Sequence, residues 1–187
     1  MRSSFCSGVS AWPDRGRMNP GTLEIGANPN HVVVGVGESA CARKPQVLLT
    51  QALGSCVGVT LWDPRLNVGG MAHVMLPAAP AGEFTGRPHR FADIAIPELI
   101  EDLVSSCGAV KRRLIAKIAG GSAMFKGDSG IDSIGGRNVA AVLEQIERAG
   151  LRVSSADTGG SHARTIELHL DSGILLVRSY IYGIREI

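Results

Sequence analysis

No stretch of this sequence reaches the roughly 18 uninterrupted apolar residues that cross a membrane as a helix. Aromatic residues are scarce: four Phe, two Trp and two Tyr are too few for a stacking platform on single-stranded nucleic acid. An excess of one charge is missing as well. Nineteen Lys and Arg against 17 Asp and Glu leave a net charge of +2, without the basic stripe of a nucleic-acid binder. The four cysteines, Cys6, Cys41, Cys56 and Cys107, form no CxxC and no metal-finger spacing. Met1-Arg2-Ser3-Ser4-Phe5 lacks the apolar core of an export signal. The expectation is a cytoplasmic chain that is not membrane-inserted and has no disulfide framework.

What is present is the composition of an ordinary globular protein, 44% apolar and 19% charged over 187 residues. That length suits one compact domain with a real core. Residues 1 to about 30 are rich in Ser, Gly, Pro, Asn and Arg without an apolar period, and read as a mobile N-terminal extension. A single domain is expected over residues 31–187. The 24 glycines of the whole sequence exceed the usual share of about 7%. Many stand in pairs at the edges of apolar runs, the punctuation of tight turns and close backbone approaches.

Strands are expected at Val32–Val36, Val47–Thr50, Cys56–Trp62 and Val68–Leu76, with Asp63-Pro64-Arg65-Leu66-Asn67 as the turn between the last two. Ile96, Leu99, Ile100, Leu103, Val104 and Cys107 recur at helical spacing over about 92–107. Pro97 fits that helix only in its first turn. Arg113–Ala119 reads as a buried strand, about Arg137–Ala149 as a second helix, and Leu151-Arg152-Val153 as the start of another strand. Thr165–Leu170 and Ile174–Arg178 pair as a hairpin around Asp171-Ser172-Gly173. The sum is a mixed sheet with helices packed on it. Between Gly120 and Gly136 lies a long Gly-rich loop without a period, a length usually functional or disordered in a compact domain.

Several motifs can be set aside. Gly35-Val36-Gly37-Glu38-Ser39-Ala40 imitates a dinucleotide-binding turn, but Pro45 and a new strand leave no room for the helix that would face a pyrophosphate. Gly121–Lys126 lacks the Gly-Lys-Ser/Thr ending of a phosphate-binding loop. His162 and His169, an odd number of residues apart, would fall on opposite faces of one strand and make a poor metal pair.

The stronger constellation is Cys56 with His73. Alternation places Cys56, Gly58 and Thr60 opposite Val57, Val59 and Leu61, so the thiol points to the small and polar side. Gly54 permits a tight turn and leaves room beside the sulfur for a substrate. A short turn joins the strand of Cys56 to that of His73, so thiol and imidazole can meet across an antiparallel pair. Such a pair is the minimum apparatus for nucleophilic catalysis, the imidazole favouring thiolate and later protonating the leaving group. Spacing alone leaves this reading open, because most cysteines in apolar surroundings are packing residues and most lone histidines on apolar strands are core residues. Cys6 in the tail, Cys41 in a loop and Cys107 on a helix core face read as inert.

Longer segments carry a family resemblance. They are Leu53-Gly54-Ser55-Cys56-Val57, Gly69-Gly70-Met71-Ala72-His73-Val74-Met75-Leu76-Pro77 and Arg90-Phe91-Ala92-Asp93. Further along stand Lys117-Ile118-Ala119-Gly120-Gly121-Ser122-Ala123-Met124-Phe125, Ile134-Gly135-Gly136-Arg137-Asn138 and Asp157-Thr158-Gly159-Gly160. Together, in this order, they resemble the CheD-type chemoreceptor glutamine deamidases over about residues 31 to 180. The resemblance implies an α/β fold, a three-layer α/β/α sandwich with a mixed, largely antiparallel sheet. It implies a catalytic cysteine, histidine and threonine at Cys56, His73 and Thr50.

The activity so implied is hydrolysis of specific glutamine side chains of methyl-accepting chemotaxis receptors to glutamate and ammonia, through a cysteine thioester. The alternative is a non-catalytic chemotaxis adaptor that binds receptors or a phosphatase partner. No metal or organic cofactor is needed for either. Partners implied by the resemblance are the receptors themselves, at arrays on the inner membrane, and a CheC-type chemotaxis phosphatase. Gly54 and Ser55 are expected to frame the substrate amide. Gly121, Ser122 and Phe125 of the Gly-rich loop are expected to grip the receptor surface, the alternative being that Phe125 plugs the core beneath the loop.

Overall fold

The computed structural model describes residues 28–81, 86–124 and 132–187. The extension expected at the N-terminus falls, up to residue 27, outside the described residues, as do Cys6 and Phe125. The chain runs β1 (His31–Val33), β2 (Ser39–Arg43), β3 (Val47–Leu53), β4 (Val57–Asp63), β5 (Val68–Val74), α1 (Ala92–Ser105) and β6 (Ile115–Gly120). It continues with α2 (Ile134–Arg148), β7 (Val153–Thr158), β8 (Arg164–His169), β9 (Leu175–Ser179) and β10 (Gly183–Glu186). Neither long helix is long and apolar enough to cross a membrane.

The expected α/β class, layered on mixed and largely antiparallel strands, is borne out. The strands divide into two five-stranded sheets, ordered β1-β3-β8-β9-β10 and β2-β5-β4-β6-β7. β1 runs parallel to β3 and β6 parallel to β7, and the other ladders are antiparallel. One face of the second sheet presents Val57, Val59, Leu61, Ala72, Val74 and Ile118 to α1 and α2. Its other face packs on Leu48, Leu53, Ile166 and Leu168 of the first sheet.

This packing explains a pattern that alternation misreads. The small side of β4, with Gly58 and Thr60, is not an open polar face; the first sheet closes it. A Cβ at Gly58 would lie 2.5 Å from Ile166 Cδ1 and 2.9 Å from Leu53 Cδ1. Small residues here let two sheets approach. The indole of Trp62, on the same face, donates to Leu170 O at 3.1 Å.

Four local expectations change. Ser39–Arg43, with Cys41 in it, is a strand rather than a loop, paired along β5 from Ser39 opposite Ala72 to Arg43 opposite Val68. β10 continues the first sheet beyond β9. Pro97 stands not in the first turn but sixth in α1, where its missing N–H leaves the Asp93 carbonyl without its helical donor. α2 begins at Ile134, ahead of the expected start, because Ser133 caps it by accepting from Gly136 N at 2.8 Å.

The glycine pairs at both ends of the β6–α2 connection allow a close backbone crossing. A Cβ on Gly135 would lie 2.4 Å from Gly121 O. In an exposed helix, Gly→Ala stabilises by about 1 kcal/mol. At this crossing the clash with backbone outweighs that gain, since overpacking costs roughly 1–3 kcal/mol. Gly135→Ala is therefore expected to destabilise the protein, the reverse of the helix-propensity sign, as read from urea unfolding midpoints.

Candidate active site

Thr50 is the point where β3 changes course. It pairs with Ile166 of β8, but the register breaks before Leu53 pairs with Arg164. Within the break Ala52 sits at φ 58, a conformation that costs an L-residue roughly 1–2 kcal/mol. A bulge of this kind re-aims the chain. Here it sends Gly54-Ser55-Cys56 across from the first sheet to the second, where β4 begins at Val57. The thiol thus stands at the start of a strand.

His73 comes from β5, the strand next to β4. Its partner across the ladder is Gly58, which makes Cys56 its diagonal neighbour at about 7–8 Å between Cα atoms, within side-chain reach. The histidine backbone is held from the β1–β2 turn: its N–H donates to Glu38 O, and its carbonyl accepts from Gly37 N, both at 3.0 Å. That is what the Gly35–Ala40 segment does, leading directly into β2 with no intervening helix.

The Thr50 hydroxyl fixes the ring. Thr50 Oγ1 lies 2.6 Å from Val34 O and 2.7 Å from His73 Nδ1, and both side chains are buried. A hydroxyl has one proton and a carbonyl can only accept, so Thr50 donates to Val34. It must then accept from His73, and Nδ1 carries the hydrogen. Nε2 is left as the bare nitrogen, buried and without a hydrogen-bond partner among the described residues. Burial pushes the His73 pKa down to about 4. Burial also pushes the Cys56 thiol up, against the opposing effect of its own backbone N–H. Burial thus disfavours both the imidazolium of His73 and the thiolate of Cys56.

The other expected residues fall in two groups. Gly54 and Ser55 form the connection into Cys56, and Met124 covers Gly54, 3.1 Å from where a Cβ would stand. Gly121 braces the thiol loop by donating its N–H to Cys56 O at 2.8 Å. Beside Gly121 lies an apolar cavity of about 470 Å³, lined also by Ala123, Gly136, Val139 and Leu143. Ser122 is fully buried. Its hydroxyl lies 2.6 Å from His162 O and accepts from Arg164 Nη1 at 2.7 Å, while Arg164 also pairs with Asp157 at 2.8 Å. Ser122 faces this internal network rather than the thiol.

Two parts of the site had no assigned role in the sequence. The Val34 carbonyl is invisible to residue patterns. Asn138, buried on α2, donates to Ser55 O at 2.9 Å and to Met75 O at 2.8 Å. Its only signal was its place in the Gly135-Gly136-Arg137-Asn138 motif. His162 precedes β8 rather than lying on it with His169. Among the described residues no cluster of His, Cys, Asp and Glu could hold a metal ion.

Comparison with known proteins places this geometry. A family model described as CheD chemotactic sensory transduction matches residues 75–179. The "Chemoreceptor glutamine deamidase CheD" of Thermotoga maritima is 46% identical over 146 residues, covering 78% of this chain and 90% of its own length. The "Probable chemoreceptor glutamine deamidase CheD 2" of Geobacter metallireducens is 41% identical over 160 residues, covering 83% of this chain and 98% of its own. A "Probable chemoreceptor glutamine deamidase CheD" from Methanococcus maripaludis is 43% identical over 145 residues, covering 78% and 92%.

The depressed imidazole makes stability depend on pH with a definite sign. Between 6.5 and about 4 the unfolded chain binds a proton at His73 that the folded chain does not. This contribution is present above 6.5 and lost as pH falls from there towards 4. At pH 5 the loss is about 2 kcal/mol. His73→Gln, which cannot titrate, is expected to shrink the stability difference between pH 7 and pH 5 by that amount in urea unfolding.

Proposed function

The chain belongs to the CheD family, and on that premise we propose that it is a chemoreceptor glutamine deamidase. It hydrolyses selected glutamine side chains of methyl-accepting chemotaxis receptors to glutamate and ammonia. Cys56 is the nucleophile, His73 the base and acid, and Thr50 the residue that orients the imidazole. The observation that carries this assignment is the Thr50 hydroxyl shared between Val34 O and His73 Nδ1, which leaves Nε2 as the only basic nitrogen of the ring.

The chemistry follows from that tautomer. As Cys56 Sγ attacks the side-chain amide carbon, its proton passes to His73 Nε2. The C=O π pair moves to oxygen, giving a tetrahedral oxyanion for backbone N–H groups around Gly54–Cys56 to receive. On collapse the C–N bond breaks, and Nε2–H protonates the leaving nitrogen to give ammonia. A water then gives its proton to Nε2 and its oxygen to the thioester carbon. Departure of the sulfur, reprotonated from Nε2, yields glutamate and the free thiol. Thr50 is uncharged, so it orients the imidazolium without the charge stabilisation an aspartate would add.

A purely adaptor role has no use for a buried imidazole nitrogen without a partner beside a thiol, and that favours the enzyme. Receptor docking belongs to the same proposal, with Gly54, Ser55 and Gly121 nearest the amide. Phe125 keeps its assignment as a gripping residue, and Ser122 supports the loop from within. A CheC-type phosphatase would compete for the same face.

Cys56→Ser is expected to abolish ammonia release from a purified receptor fragment while leaving receptor binding intact. His73→Ala is expected to cost about 10²–10⁴-fold in kcat. Thr50→Val, isosteric but without the hydroxyl, is expected to be the mildest at about 10²-fold, with Thr50→Ser recovering most of the loss. Full activity in Cys56→Ser would overturn the assignment of the nucleophile.

A further inference from the structure

Three consecutive carbonyls around the nucleophile are each anchored from the segment that follows β6. Gly54 O accepts from Ser122 N at 2.8 Å, and Cys56 O from Gly121 N at 2.8 Å. Ser55 O, between them, accepts from a side chain, Asn138 Nδ2, at 2.9 Å. The same amide group donates its other hydrogen to Met75 O, two residues beyond His73, at 2.8 Å. Asn138 therefore ties the loop of the thiol to the strand of the imidazole.

Its orientation is fixed. Rotated by half a turn, the amide would set its oxygen against two carbonyl oxygens. As it stands, Asn138 Oδ1 is buried without a hydrogen-bond partner among the described residues, while the residue itself is wholly buried. A buried acceptor without a partner is unfavourable, so the two donated bonds hold the side chain here.

The consequence lies one bond away. The Ser55–Cys56 peptide is planar and trans, so its N–H points opposite to its carbonyl. Holding Ser55 O towards α2 turns the Cys56 N–H away from α2. The Cys56 N–H belongs to the same residue as the sulfur. A carbonyl carbon bonded to that sulfur would carry its oxyanion beside this donor.

We propose that Asn138 is a positioning residue for the acyl step: by holding the Ser55 carbonyl it aims the Cys56 N–H at the oxyanion formed when the sulfur attacks the amide. The proposal rests on Cys56 as the nucleophile and adds how its oxyanion is received. It makes no demand on the displacement chemistry of the thiol, because alkylation at a saturated carbon forms no oxyanion.

That difference provides the test. Asn138→Ala and Asn138→Asp are compared with the wild-type full chain in two reactions, ammonia release from a purified receptor fragment and alkylation of Cys56 by iodoacetamide. The expected result is a fall in kcat of about 10²–10³-fold, the cost of losing one oxyanion donor. KM and the alkylation rate stay within about threefold of wild type. Equal losses in both reactions, or an unchanged kcat, overturn the proposal. Should Asn138→Ala fail to fold, Asn138→Ser, which keeps one donor, is read in the same way. Absence of ammonia release by the wild type would instead overturn the deamidase reading and this proposal with it.

Discussion

One proton on the Thr50 hydroxyl decides how this site works. Because it goes to the Val34 carbonyl, the oxygen can only accept from His73, and the imidazole is left with its basic nitrogen at Nε2. Three pieces of backbone must be in place for this: the end of β1, the bulged strand β3 and the far end of β5. They belong to both sheets. The bare Nε2 therefore exists only once the two sheets have packed, and the tautomer is a property of the fold rather than of the histidine.

The same packing sets the energetics of the pair. Burial disfavours imidazolium and thiolate alike. The geometry around the pair is fixed by the close approach of the β6–α2 connection to the thiol loop. Glycine makes that geometry possible. A Cβ at Gly120 would lie 2.3 Å from Cys56 O, and one at Gly121 2.2 Å from Val139 Cγ2. The connection from β6 to α2 can press against the thiol loop because nothing projects between them.

Much of this was legible in the residues. The short turn between β4 and β5 puts Cys56 and His73 on neighbouring strands, and the 3.6-residue period of 92–107 finds α1. The hairpin around Asp171-Ser172-Gly173 is there, with Gly173 at φ 71. Other features were hidden for physical reasons. Alternation along β4 separates two faces but cannot tell solvent from a second sheet, so Gly58 and Thr60 looked open. The first turn of α2 was masked by Gly135 and Gly136, which lower helix propensity and are there for a backbone crossing. β2 and β10 are short and carry no run of large apolar residues, and ladder pairing rather than pattern defines them. Val34 acts through its carbonyl and Asn138 through two amide hydrogens, and neither function leaves a mark on composition or period. The protonation state of the pair depends on burial, which no spacing reveals.

The neutral Thr50 thus sets the tautomer of an imidazole on the strand beside that of the thiol. Nitrogen-15 NMR of the histidine-labelled protein at neutral pH reads the tautomer directly. His73 is expected to be neutral, with hydrogen on Nδ1 and a bare Nε2. A His73 signal showing hydrogen on Nε2, or an imidazolium, would contradict that assignment.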